Sequence, residues 1–159
     1  MVEIRRIRVD EAALVRQLVR AAVEEEAKRH PEDRVGISEQ GLANLETQFR
    51  VGAVHEDEVT LVGAEGDDIL GFVCAWITRG RATPGLGGEI DWLWARPGPM
   101  REQLERQLGT EAVSWLFQQG ARAIVKMDDI RHPMRDLWEA LGFEGDVIRF
   151  SRYAGPAPV

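Results

Sequence analysis

Two runs of strand-forming residues, EVTLVGA at 58–64 and ILGFVCAWIT at 69–78, are separated by Glu65-Gly66-Asp67-Asp68 alone. Val, Ile, Thr and Phe suit a pleated, half-buried surface, whereas Gly and Asp suit a tight reversal. So short a connection joins antiparallel neighbours, because a parallel pair needs a crossover of a dozen residues or more. The two runs read as an antiparallel hairpin.

Helical periodicity surrounds the hairpin. Before it, EIRRIRV at 3–9 reads as a short strand, and Asp10 reads as the N-cap of a long helix over 11–29. In that helix Leu14, Leu18, Ala22 and Val15, Val19, Val23 recur at spacing four, which predicts one buried stripe closed by Pro31. Ser38 is placed to cap a second helix carrying Leu42, Leu45 and Phe49, with Gly52 just past its end.

After the hairpin, the glycine-rich TPGLGG leads into the strand EIDWLWA at 89–95. Strict alternation there puts Ile90, Trp92 and Trp94 on one face and Glu89, Asp91 and Leu93 on the other. Met100 to Gln119 carries Leu104, Leu108, Ala112, Trp115 and Leu116 at helical spacing, and Gly120 stops the run. ARAIVKM reads as a strand, HPMRDLWEALGF as a helix ending at Gly142, and DVIRFSRY as a last strand. The expected architecture is a single α/β domain over 1–153, with a mixed, mostly antiparallel sheet, about four flanking helices and a loose tail at 154–159.

Composition narrows the function. Twenty Lys and Arg against 27 Asp and Glu leave a net charge of −7, the wrong sign for nucleic acid or an anionic membrane. The single Cys74 cannot form an internal disulfide, and three scattered histidines have no ligand spacing, so neither a disulfide scaffold nor a metal module is expected. No signal peptide or spanning run is visible, which points to a reducing cytoplasm.

Two segments carry a resemblance. Glu89-Ile90-Asp91-Trp92-Leu93-Trp94-Ala95-Arg96-Pro97 is similar to a strand pattern L-x-V-x-P, with Ala95 in place of valine. Leu137-Trp138-Glu139-Ala140-Leu141-Gly142-Phe143 is similar to a late helix L-Y-x-x-x-G-F, with Trp138 in place of tyrosine. Both patterns, and the order of elements, resemble the GNAT superfamily of acyl-CoA-dependent N-acetyltransferases. The resemblance implies acyl transfer from acetyl-CoA to a small-molecule or peptide amine, and a homodimer. It places the donor along Leu93, Trp94 and Ala95, with Trp138 nearby and the diphosphate at the start of the helix after the strand.

There the family pattern R/Q-x-x-G-x-G/A falls on Met100-Arg101-Glu102-Gln103-Leu104-Glu105, and both glycine positions are lost. Arg101 offers a charge-assisted contact to phosphate, while Glu102 and Glu105 bring negative charge to the same place. The alternative is that these residues simply begin a helix, where acidic side chains are favourable.

Acyl transfer to an amine needs a base to take the amine's proton. Glu89 is the first candidate and Asp91 the reserve; the competing account makes both solvated strand-edge residues. Trp138 has no proton for a leaving thiolate, and the only tyrosine, Tyr153, reads as packing. His132 reads as a flank of the late helix. Glu24-Glu25-Glu26 and Glu32-Asp33 form either a field that draws a cation or a solvated face. The missing glycines and tyrosine also motivate a non-catalytic binding or regulatory module on the same fold.

Overall fold

A computed structural model describes residues 1–33, 36–79, 85–126 and 134–145. The chain divides into two compact units, Met1–Lys126 and Met127–Val159. The first unit holds β1 (Glu3–Arg6), α1 (Ala12–Arg29), α2 (Glu39–Val54), β2 (Glu58–Glu65), β3 (Asp68–Arg79), β4 (Leu86–Ala95), α3 (Arg101–Gln118) and β5 (Ala121–Lys126). The second holds α4 (Arg135–Ala140). The predicted last strand and tail lie outside the described residues.

The five strands lie in sequence order, with antiparallel pairs from β1 to β4 and a parallel β4–β5 pair. The hairpin forms as its turn chemistry requires, with Gly66 at φ 62°, in the left-handed region that favours glycine. The α/β expectation therefore holds, with a five-stranded mixed sheet and four helices among the described residues.

Helices cover both sheet faces. Val15, Leu18, Val19 and Ala22 of α1 and Leu42 and Phe49 of α2 share a core with Val62, Phe72, Cys74 and Trp94 of the sheet. On the other face, α3 comes so close that a Cβ at Gly63 would lie 2.5 Å from Leu104, and one at Gly88 would lie 2.9 Å from Leu116. Small residues in the sheet set that distance.

Three local expectations are corrected. A 3-10 turn at Val9–Glu11 precedes α1, so Asp10 is not its cap; the Glu11 carboxylate instead accepts the Arg8 N–H at 2.8 Å and pairs with Arg5 at 2.7 Å. Leu14 is outside the buried stripe and exposed. Gly52 lies within α2, because Ser38 caps the helix as expected but the chain continues helical to Val54. A Cβ at Gly52 would meet Thr60 Oγ1 at 2.5 Å, so glycine there answers close helix–sheet packing rather than helix termination.

Candidate active site

The strand β4 does not alternate strictly. Ile90 is opposite Ala75 and Leu93 is opposite Val73, so Asp91 and Trp92 together face Cys74. Two residues against one is a β-bulge, which bends the strand and inverts the alternation beyond it. Glu89 is opposite Trp76 and Trp94 is opposite Phe72; because Phe72 and Trp76 share a face of β3, so do Glu89 and Trp94. The sequence expectation had them on opposite faces. The extra residue is the physical reason for the correction, and a regular period of two cannot reveal it.

The described pairing with β5 ends at Ile90↔Lys126, immediately before the bulge. Beyond it, the Arg96 N–H donates to Leu70 O of β3. By alternation, the backbone groups of Leu93 and Ala95 turn away from β3. Lys126 Nζ donates to Asp91 O at 2.6 Å at this junction.

The two candidate bases differ. Glu89 is half-buried, and among the described residues no hydrogen bond or ion pair engages its carboxylate. Asp91 sits in the bulge and is exposed; partial desolvation by the surrounding chain pushes its carboxyl up from the ordinary range, and the Lys126 charge works against that rise. Cys74 is fully buried, 3.8 Å from Thr60 Oγ1, and its thiol is pushed up to about 12 by burial. It is a packing residue rather than a nucleophile.

At the other end of β4 an ion-pair network covers the start of α3. Arg101 donates from Nη1 and Nη2 to Glu25 of α1, at 2.6 and 3.2 Å, and from Nε to Glu105 at 2.9 Å. The same Glu25 carboxylate accepts from Trp94 Nε1 and from Arg29, both at 2.8 Å. Glu105 turns inward, and its carboxylate also accepts the Ala95 N–H at 3.3 Å. The Arg101 guanidinium lies 5.7 Å from the Trp94 ring centroid, within cation–π range. Burial works to raise the Glu25 carboxyl, but hydrogen bonds from Arg101 and Trp94 and the nearby positive charges outweigh it and hold the group below its usual range. Burial likewise works against the charge on Arg101, and the two carboxylates more than restore it.

Of the residues assigned to the donor from sequence, Trp94, Ala95, Arg101 and Glu105 thus come together and bond to the protein itself, while Leu93 lies on the opposite face of β4 from Trp94. Leu104 is buried beneath them against the sheet. Gln103 is exposed and lines, with Met1, Val2, Met100, Leu104 and Gln107, a cavity of about 240 Å³. Trp138 lies on α4 in the second unit, edge-on to Phe143 at 5.4 Å. His132 and Tyr153 lie outside the described residues.

Trp92 and Trp94 pack rather than form a cage: Trp92 lies 6.3 Å from Phe72, and Trp94 belongs to the core. A cavity of about 350 Å³ separates the outer parts of α1 and α2, lined by Val23, Glu24, Ile37, Glu39 and Leu42, with Arg20 paired to Glu39 at its edge. His30, Glu32 and Asp33 bring one ligand atom each within 4.8 Å of one another, a grouping common among exposed acidic residues without any ion.

The sequence marks Glu25 only as part of an acidic run and does not reveal its pairing with Arg101. In the sequence it is one of three consecutive glutamates, and its principal partner, Arg101, is 76 positions away. No local pattern distinguishes it from its neighbours.

Known proteins bear on this geometry. The sequence profile of the acetyltransferase (GNAT) family matches residues 15–143. No curated protein matches the sequence. Among solved structures, a putative acetyltransferase from Arthrobacter sp. FB24 is similar over 98% of this chain and 96% of its own, at 21% identity and a TM-score of 0.67. A transcriptional regulator from Bacillus halodurans C-125 is similar over 96% and 99%, at 16% identity and a TM-score of 0.72. Glucosamine-6-phosphate N-acetyltransferase from Arabidopsis thaliana is similar over 98% and 99%, at 14% identity and a TM-score of 0.67. At these identities the likeness is one of fold.

Proposed function

From the chain's membership of the acetyltransferase (GNAT) family, we propose that it transfers an acetyl or related acyl group from a CoA thioester to an amine, with Glu89 as the base. The observation that carries this reading is the half-buried Glu89 carboxylate. No side chain among the described residues engages it, and it lies on β4 just before the bulge. A carboxylate committed to an arginine is a poor proton acceptor; an uncommitted one is suited to the task.

The donor supplies the acyl group and the thiol leaving group. Glu89 takes the proton as the amine nitrogen bonds to the acyl carbon; the carbon–sulfur bond breaks, the thiolate takes a proton from water, and Glu89 returns its proton to the hydroxide that remains. Water is invoked because the indole N–H of Trp138 is too weak an acid to protonate a thiolate. The backbone of Leu93 fits a role in holding the donor's extended arm. The start of α3 fits the diphosphate less well, since Arg101 and the Ala95 N–H are both engaged by carboxylates. No step of the reaction is routed through that contact.

The acceptor is a small-molecule or peptide amine, consistent with the acidic net charge. By resemblance the protein acts as a homodimer, and a single buried thiol suits the cytoplasm. No helix among the described residues is long and apolar enough to cross a membrane.

The commitment of Arg101 favours a second reading, a binding or regulatory module that keeps the fold without turnover. Calorimetric titration with acetyl-CoA, followed by thiol-release assays over polyamines, aminoglycosides, amino acids and peptide amino termini, tests the first reading. Saturable binding and thiol release with any amine support acyl transfer. Binding without release across the panel supports the second reading, and no binding removes CoA as donor.

A further inference from the structure

We propose that the Glu25 carboxylate is an intramolecular competitor for the anionic end of the acyl donor, so that the donor binds by displacing Glu25 from Arg101. The proposal rests on the reading of CoA as donor and concerns what controls access to it.

The argument begins with occupancy. Every nitrogen of the Arg101 guanidinium has a carboxylate partner: Nε bonds Glu105, while Nη1 and Nη2 form a fork on Glu25. A fork of two parallel N–H groups is the geometry that phosphate also takes. Glu25 therefore occupies the donors that an incoming phosphate would use. Its carboxylate is held from a second side by Trp94 Nε1 and Arg29, which makes it a well-bound internal anion rather than a solvated side chain.

The two carboxylates on Arg101 are not equally replaceable. Glu105 follows Arg101 by one helical turn; its side chain is only 11% exposed and is anchored by the Ala95 N–H as well. Glu25 comes from a different helix, and both it and Arg101 keep 25% of their side chains exposed. An anion arriving from solvent reaches the Glu25 side of the pair. A diphosphate offers more charge and more acceptor oxygens than one carboxylate, so the exchange is balanced by real gains on the incoming side.

Exchange has a structural consequence. The Glu25 contacts join the last turns of α1 to the start of α3 and to Trp94 on β4. Displacement breaks those ties at once and leaves Trp94 Nε1 without its carboxylate. Donor binding is thus coupled to release of the end of α1, which leads into the turn toward α2.

The test uses inorganic pyrophosphate and CoA as separate probes, titrated calorimetrically into the full chain as wild type, Glu25→Gln and Arg101→Ala, with tryptophan emission followed in parallel. Glu25→Gln removes the competing charge and should tighten both ligands by roughly tenfold or more, since a charge-assisted hydrogen bond is at stake. Arg101→Ala should abolish pyrophosphate binding. In the wild type, pyrophosphate should change the emission, and Trp94→Phe should remove that change; this arm stands even if Glu25→Gln does not fold. Equal pyrophosphate affinity in wild type and folded Glu25→Gln, or emission that ignores pyrophosphate at saturation, overturns the proposal. CoA binding equally to both then leaves the acyl-donor reading intact. Tightening toward pyrophosphate with no CoA binding in any variant supports displacement and sinks the acyl-CoA reading instead.

Discussion

The inner and outer halves of β4 put the same side-chain chemistry to opposite uses. In the inner half, Leu86 to Ile90, the strand is paired on both sides, Gly88 lets α3 approach, and Glu89 stands without a partner among the described residues. In the outer half, Asp91 to Ala95, Trp92 and Trp94 pack on the core, and the Glu25 and Glu105 carboxylates are bound to arginine, indole and backbone N–H groups. The bulge at Asp91–Trp92 separates the halves. A partnered carboxylate holds elements together; an unpartnered one remains available to accept a proton. What distinguishes reactive from structural glutamate here is therefore the company each keeps.

The sharpest way to break the comparison is Glu89→Gln, which should lower acyl-transfer turnover by about 10²–10⁴-fold while leaving CoA affinity unchanged. Thiol-release kinetics beside calorimetry checks both halves of that statement, and unchanged turnover would pass the role of base to Asp91 or water. In the outer half, Arg101→Ala should instead cost roughly 1.5–3 kcal/mol of stability, because Glu25 and Glu105 lose their charged donor; urea unfolding reads it. A fully stable Arg101→Ala would mean that the network holds nothing together.

Gly88→Ala probes the inner half through packing alone. The new Cβ lies 2.9 Å from Leu116, so about 1–3 kcal/mol should be lost as α3 gives way, most visibly as a lowered Tm. The smallest expected effect is at the boundary. Desolvation raises the Asp91 carboxyl, so its ionised form costs the folded state stability above the ordinary carboxylate range, and the cost disappears when both states are protonated. Asp91→Asn should raise Tm at pH 7 by less than about 2 °C, with the difference closing near about pH 3. A lower Tm at pH 7 would show that Lys126, rather than burial, governs this carboxylate.

Much of this protein is written locally. The hairpin follows from Glu65-Gly66-Asp67-Asp68 and its β-branched flanks, α2 from the Ser38 cap, and the end of α3 from Gly120, whose φ is 94°. Each depends on residues a few positions apart, which is the range over which turn chemistry and helical period act. The motif around Glu89 was legible for the same reason, as was the departure from glycine at Gln103 and Glu105. Tertiary structure decided which faces those residues take and what they touch. Register against β3 inserts a bulge that turns Glu89 and Trp94 to one face, and packing of α2 on β2 makes Gly52 a contact point rather than a helix end. Above all, only the fold could bring Glu25 to Arg101 across 76 positions. A carboxylate's reactivity depends on its solvation and its neighbours, and those neighbours come from elements that the sequence keeps far apart.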